Sequence, residues 1–136
     1  MPTTPLSAQS PCLLLVDDDA AVGDALKFSM ELEGFQVRTY ADAAALLDAG
    51  PTPDVGCLVI DLNLPDVDGL ELLRRLRARK VTLPAVLITT NPTAIIRARA
   101  RAQGAPIVEK PLLTDALLET IRGLMRPAEA SGPLPA

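Results

Sequence analysis

The sequence predicts an α/β protein: a doubly wound, five-stranded parallel sheet flanked by five helices. Three observations predict it. Short, unbroken apolar runs recur along the chain, as in CLLLV (12–16), VGCLVIDL (55–62) and PAVLITT (84–90). Strands this apolar are covered on both faces, which is the habit of parallel sheets. Each run is followed by a segment of helical period, so strands and helices alternate, and the crossover helices then cover the sheet.

Composition agrees. The chain has 136 residues, a length that suits one domain with a substantial core. Hydrophobic residues make up 49% and charged residues 22%, a soluble globular balance. Aromatic residues are only 2%, so Leu, Val, Ile and Ala must build the core. No apolar run approaches the roughly 18–20 residues of a membrane span. The N-terminus lacks the basic region of a signal peptide, and a cytoplasmic location is expected. The absence of histidine removes the commonest general base and the commonest zinc ligand. Any metal must then be held by oxygen, which favours magnesium, calcium or manganese. Cys12 and Cys57 sit inside apolar runs and are read as packing residues. Net charge is −4 but uneven: residues 1–71 carry 13 acids and 2 bases, and residues 72–108 carry 8 bases and no acid. That asymmetry reads first as solvated helix faces, with a surface for an acidic partner as the alternative.

The elements follow in order. Residues 1–11, rich in Pro, Ser and Thr, predict a flexible segment. CLLLV is the first strand. From Ala20 to Glu33, the positions Val22, Ala25, Leu26, Ser29 and Met30 recur at helical spacing, and Gly34 suits the stop. FQVRTY (35–40) is a short strand. DAAALLDAG (42–50) is a helix with an Asp cap and a Gly end. VGCLVIDL is a buried strand, and NLPDVDG (63–69) is a turn-rich loop in which Asp66 and Asp68 serve turn chemistry. LELLRRLRARK (70–80) is amphipathic, with Leu70, Leu73 and Leu76 on one stripe. PAVLITT is the next strand. A helix over 92–104 is opened by Asn91 and Pro92, and its Arg97 and Arg101 share a face while Arg99 points away. PIVEK (106–110) is the last strand. TDALLETIRGLM (114–125) is the last helix, with Thr114 as cap. Residues 12–126 form the folded domain. Residues 127–136 read as a flexible Pro/Ala-rich tail, or as the start of a linker to an output domain.

In open α/β sheets, ligands bind beyond the carboxyl ends of the strands. The strand ends here carry Asp17, Asp18 and Asp19, then Asp61, then Thr89 and Thr90, then Glu109 and Lys110. Aspartates so crowded repel one another and raise their own pKa values unless a cation sits among them. Carboxylates with a backbone carbonyl hold an octahedral magnesium ion that keeps several waters. A lysine adds a second positive point for phosphoryl oxygens, and a threonine adds a hydroxyl. This is equipment for phosphoryl transfer, with a carboxylate as nucleophile. Each acid also has a plainer reading as a helix cap, and for Asp19 the cap is the stronger one.

Four pieces in order, LLLVDD, LVIDLNLPDVDGLELLRRLR, LPAVLIT and VEKPL, resemble the receiver domain of two-component response regulators. The resemblance covers residues 12 to about 126. It implies the CheY-like, flavodoxin-like strand order 2-1-3-4-5. It implies Asp61 as phosphoacceptor, Asp18 as a direct magnesium ligand, Asp17 as a ligand mostly through water, and Asn63 as a ligand through its backbone carbonyl. Thr89 would bond the phosphoryl group and Lys110 would pair with it. The bond before Pro111 would be cis. The implied partner is a sensor histidine kinase or a histidine phosphotransfer protein, with neither nucleic acid nor membrane contacted directly. The implied role is a switch that catalyses its own labelling and slow hydrolysis, and is not a metabolic enzyme. Asn63 and Asn91, near the mouth, would tune the access of water.

Two features depart from the family. Ile107 stands where receivers commonly carry an aromatic that swings inward, and the interval from Thr89 to Lys110 is about one residue short. They imply altered switching. Two rivals remain at this level. One is a degenerate receiver that binds partners without phosphorylation. The other is a haloacid-dehalogenase-like phosphatase, since VDDDAAV matches strand-D-x-D-x-x-V with Asp17 as nucleophile and Asp19 as acid.

Overall fold

The computed structural model describes residues 10–110 and 114–125. The elements are β1 (Cys12–Val16), α1 (Ala20–Leu32), β2 (Gln36–Tyr40), α2 (Ala43–Leu47), β3 (Gly56–Asp61), α3 (Gly69–Ala78), β4 (Ala85–Thr89), α4 (Ala94–Ala102), β5 (Ile107–Glu109) and α5 (Thr114–Met125). All sheet pairings are parallel, in the order β2-β1-β3-β4-β5. The expectations for residues 1–9 and 127–136, for the bond before Pro111 and for the Thr114 side chain lie outside the described residues.

Because side chains alternate across a strand, β1, β3 and β4 feed two cores. Leu14, Val16, Leu58, Ile60 and Leu87 pack with Leu46, Leu70, Leu73, Leu76 and Ala100 from α2, α3 and α4. Leu13, Leu15, Cys57, Val59, Val86 and Ile88 pack with Leu26, Met30, Leu117 and Ile121 from α1 and α5. The cysteines are free and buried, Cys12 in the first core and Cys57 in the second. Burial pushes the Cys57 thiol up to about 12, so it acts as a small hydrophobe.

Three sequence expectations need correction. The fourth helix opens later than Asn91 and Pro92 suggest. Thr93 is its cap, because its Oγ1 accepts the Ile96 N–H at 3.2 Å. The second helix stops at Leu47, well short of Gly50. Along α1, Leu26 and Met30 are buried as their spacing predicts, whereas Ala25 faces solvent.

Candidate functional site

Strand register assembles the site. Val16 of β1 lies opposite Ile60 of β3, so the next residues, Asp17 just past β1 and Asp61 at the end of β3, stand side by side. This is the point where strand order reverses, between β1 and β3. Asp61 lies opposite Ile88, and Thr89 lies opposite Glu109. The Lys110 N–H then donates to the Thr89 carbonyl at 2.8 Å. Backbone pairing alone therefore brings residues 17, 61, 89 and 110 to one rim.

The side chains converge as the strand ends predict. Lys110 Nζ lies 2.9 Å from Asp61 Oδ2 and 3.6 Å from Asp17 Oδ2. Asp17, Asp18 and Asp61 each place a carboxylate oxygen within 4.8 Å of the others. Asp17 and Asp61 are buried and Asp18 is exposed. The Asp61 side chain keeps 5% of its exposure and Lys110 keeps 20%, so the pocket opens narrowly at the rim. Thr89 is buried while Thr90 faces solvent, which selects Thr89 as the inward hydroxyl. The Asn91 N–H donates to Thr89 Oγ1 at 3.3 Å, leaving the hydroxyl proton free to donate.

Local turns hold the acids in place. Asp61 Oδ1 accepts the Asn63 N–H at 3.0 Å, and Asp17 Oδ1 accepts the Asp19 N–H at 2.9 Å. The other Asp17 oxygen, Oδ2, is buried with no hydrogen-bond donor among the described residues. Burial drives the Asp17 carboxyl above the ordinary range; the Asp19 amide opposes this, the Asp61 charge adds to it and the Lys110 charge opposes it. Burial also works against the Lys110 charge, but its hydrogen bond to Asp61 and the two carboxylate charges outweigh that and raise its pKa. One lysine thus faces two buried acids, with a third, exposed carboxylate gathered beside them. A donor set made only of oxygen, with one buried oxygen left unpartnered, fits a hard divalent cation such as magnesium.

The neighbouring acids have structural work. Asp19 caps α1 by accepting the Ala21 and Val22 amides, as its plainer reading predicts, so its Oδ1 is engaged. Asp68 caps α3 by accepting the Glu71 N–H at 2.8 Å. Asp66 does more than turn chemistry: it reaches the N-terminus of α2. Sequence spacing carries no signal for that contact across more than 20 residues. Arg97 and Arg101 line one groove of about 320 Å³ beside Ile107, and Arg99 turns to Asp68 at 3.5 Å.

The response regulator receiver domain model matches residues 13–122. The chain belongs to the response regulator receiver domain family. Among relatives of this receiver, the transcriptional regulatory protein FixJ of Bradyrhizobium diazoefficiens is 37% identical over 118 residues, covering 86% of this chain and 58% of FixJ. The C4-dicarboxylate transport transcriptional regulatory protein DctD of Pseudomonas aeruginosa is 38% identical, covering 89% of this chain and 26% of DctD. The receiver therefore corresponds to only part of each relative. The crystal structure of full-length FixJ from B. japonicum shares the fold at a TM-score of 0.78 and 37% identity, covering 88% of this chain and 59% of that one. A CheY-like receiver from Methanospirillum hungatei matches at a TM-score of 0.79 and 27% identity, covering 86% of this chain and 94% of that one. The receiver is a signalling domain, and the phosphatase reading of VDDDAAV gives way to it.

Proposed function

We propose that residues 12–126 act as a phosphoacceptor switch in the cytoplasm. The donor is a phosphohistidine on a sensor histidine kinase or a phosphotransfer protein, and the acceptor is Asp61. The observation that carries this is the Lys110 ammonium 2.9 Å from Asp61 Oδ2, with the Asp17 and Asp18 carboxylates gathered beside it.

An Asp61 carboxylate oxygen supplies the electron pair for the new O–P bond. The P–N bond of the donor breaks, and its pair returns to the imidazole nitrogen. Asp17, Asp18, Asp61 and the Asn63 backbone carbonyl would hold Mg2+, which supplies charge neutralisation for the incoming phosphoryl oxygens. Lys110 pairs with a phosphoryl oxygen, and the Thr89 hydroxyl donates to another. Self-catalysed hydrolysis of the acyl phosphate resets the switch, with Asn63 and Asn91 at the exposed rim governing water access. The arginines along α4 offer a basic surface to an acidic downstream partner, and Ile107 replaces ring rotation with a smaller aliphatic rearrangement.

Intact-mass measurement after acetyl phosphate treatment tests this. The wild type should gain one phosphoryl group only with Mg2+ present, and Asp61→Ala should gain none. Labelling that persists in Asp61→Ala, or that ignores Mg2+, refutes the assignment.

A further inference from the structure

The loop between β3 and α3 carries Asn63, yet residues 64–67 lie outside any sheet or helix. Among the described residues, their polar ties to the rest of the chain come from one side chain. Asp66 Oδ1 accepts the Ala43 N–H at 3.1 Å, and Asp66 Oδ2 accepts the Ala44 N–H at 2.9 Å. Oδ1 also accepts the Val67 N–H at 2.9 Å, which fixes the carboxylate within its own turn. The amides of Ala43 and Ala44 belong to the first turn of α2 and have no acceptor within that helix. Asp42 takes the next amide, that of Ala45, at 2.8 Å. Two acids thus divide the helix start: one is local, and the other belongs to the site loop.

The inner end of that loop touches the acceptor itself, through the Asn63 N–H on Asp61 Oδ1 at 3.0 Å. We propose that Asp66 is a positioning residue for the Asp61 pocket: its two-point bond to α2 holds the loop so that the Asn63 N–H orients the Asp61 carboxylate and the Asn63 carbonyl, in the next peptide unit, is available to the metal. Leu64 and Val67 also pin the loop by packing on the core. The loop therefore stays in place without Asp66 but loses its fixed orientation. The carbonyl part of this inference rests on the magnesium reading above, whereas the Asp61 contact does not.

Two measurements test it, calorimetric titration with MgCl2 and the amide resonance of Asn63, on wild type, Asp66→Ala, Asp66→Asn and Asp42→Ala. Loss of an outer-shell support typically weakens metal binding about tenfold, and that is the loss expected for Asp66→Ala, together with a shifted Asn63 amide. Asp66→Asn keeps one acceptor oxygen and should restore most of the affinity, to within about threefold of wild type. Asp42→Ala removes a cap from the same helix without touching the loop, so its affinity should stay within about twofold. Affinity of Asp66→Ala within about twofold of wild type, or an equal loss in Asp42→Ala, overturns the positioning role. A wild type that takes up no Mg2+ instead refutes the magnesium reading, and the Asn63 amide then decides the loop's role alone. If Asp66→Ala fails to fold, Asp66→Asn carries the test through its smaller loss and its Asn63 shift.

Discussion

Replacing Asp17 with Asn should stabilise the metal-free protein while abolishing its stabilisation by Mg2+. Oδ1 of Asp17 holds the Asp19 amide, and an Asn oxygen can keep that bond. Oδ2 is buried, has no hydrogen-bond donor among the described residues, and lies 3.6 Å from the Lys110 ammonium. Leaving a buried acceptor unsatisfied costs about 1–3 kcal/mol, and more for a charged one. The amide removes the charge and turns the orphaned acceptor into a donor beside the Asp61 carboxylate. A net gain of about 1–2 kcal/mol in EDTA follows, allowing for the weaker pairing with Lys110. For a domain of this size that raises the Tm by roughly 3–8 °C. The wild type should recover the difference in Mg2+, gaining about 1.4 kcal/mol at ten times its Kd, while the variant gains little. The sign with pH is set by the raised Asp17 pKa. A group raised on folding destabilises when charged, so the gap in EDTA is full above that pKa. It closes as pH falls toward the ordinary aspartate value of about 3.9. Thermal melts across pH, with EDTA or MgCl2, provide the assay. A variant that melts at or below the wild type in EDTA at neutral pH would refute the reasoning.

Gly69→Ala should damage both fold and site, because a Cβ there would lie 2.6 Å from the Asp61 carbonyl oxygen and 2.8 Å from Ile60 Cγ2. A loss of about 2–3 kcal/mol is expected in denaturant melts. Labelling by acetyl phosphate should slow up to about 100-fold as the Asp61 backbone shifts. Lys80→Gly should stabilise: Lys80 has φ 70° in a helix end where the Lys80 N–H bonds Arg77 O and the Val81 N–H bonds Leu76 O. Gly34 and Gly104 fill the equivalent positions after α1 and α4 with positive φ. Relief of the left-handed strain, less the extra entropy of glycine, amounts to about 0.5–1 kcal/mol, readable as a rise in Tm.

The fold was legible because buried parallel strands announce themselves as unbroken apolar runs, and CLLLV and VGCLVID need no partner to be recognised. The helix starts at Asp19 and Asp42 were legible for a similar reason: a cap bonds amides two or three residues away. The start of α4 was not, because Asn91 and Pro92 compete with Thr93 as openers, and only the backbone path after β4 selects the last.

Sequence by itself determined which groups could do the chemistry. It supplied acids at the ends of two strands, a threonine and a lysine at the ends of two others, and no histidine to share the task. Only the tertiary structure decided how they meet. Parallel register set Asp17 beside Asp61 and brought Lys110 to 2.9 Å from it. Burial distinguished Thr89 from Thr90, and loop geometry sent Asp66 to a helix whose sequence gives no hint of it. The reason is one of range. Periodicity and capping act within a few residues and are written locally, whereas the pocket joins Asp17 and Asp61 to Lys110, the latter pair 49 residues apart, and such distances exist only once the sheet has paired.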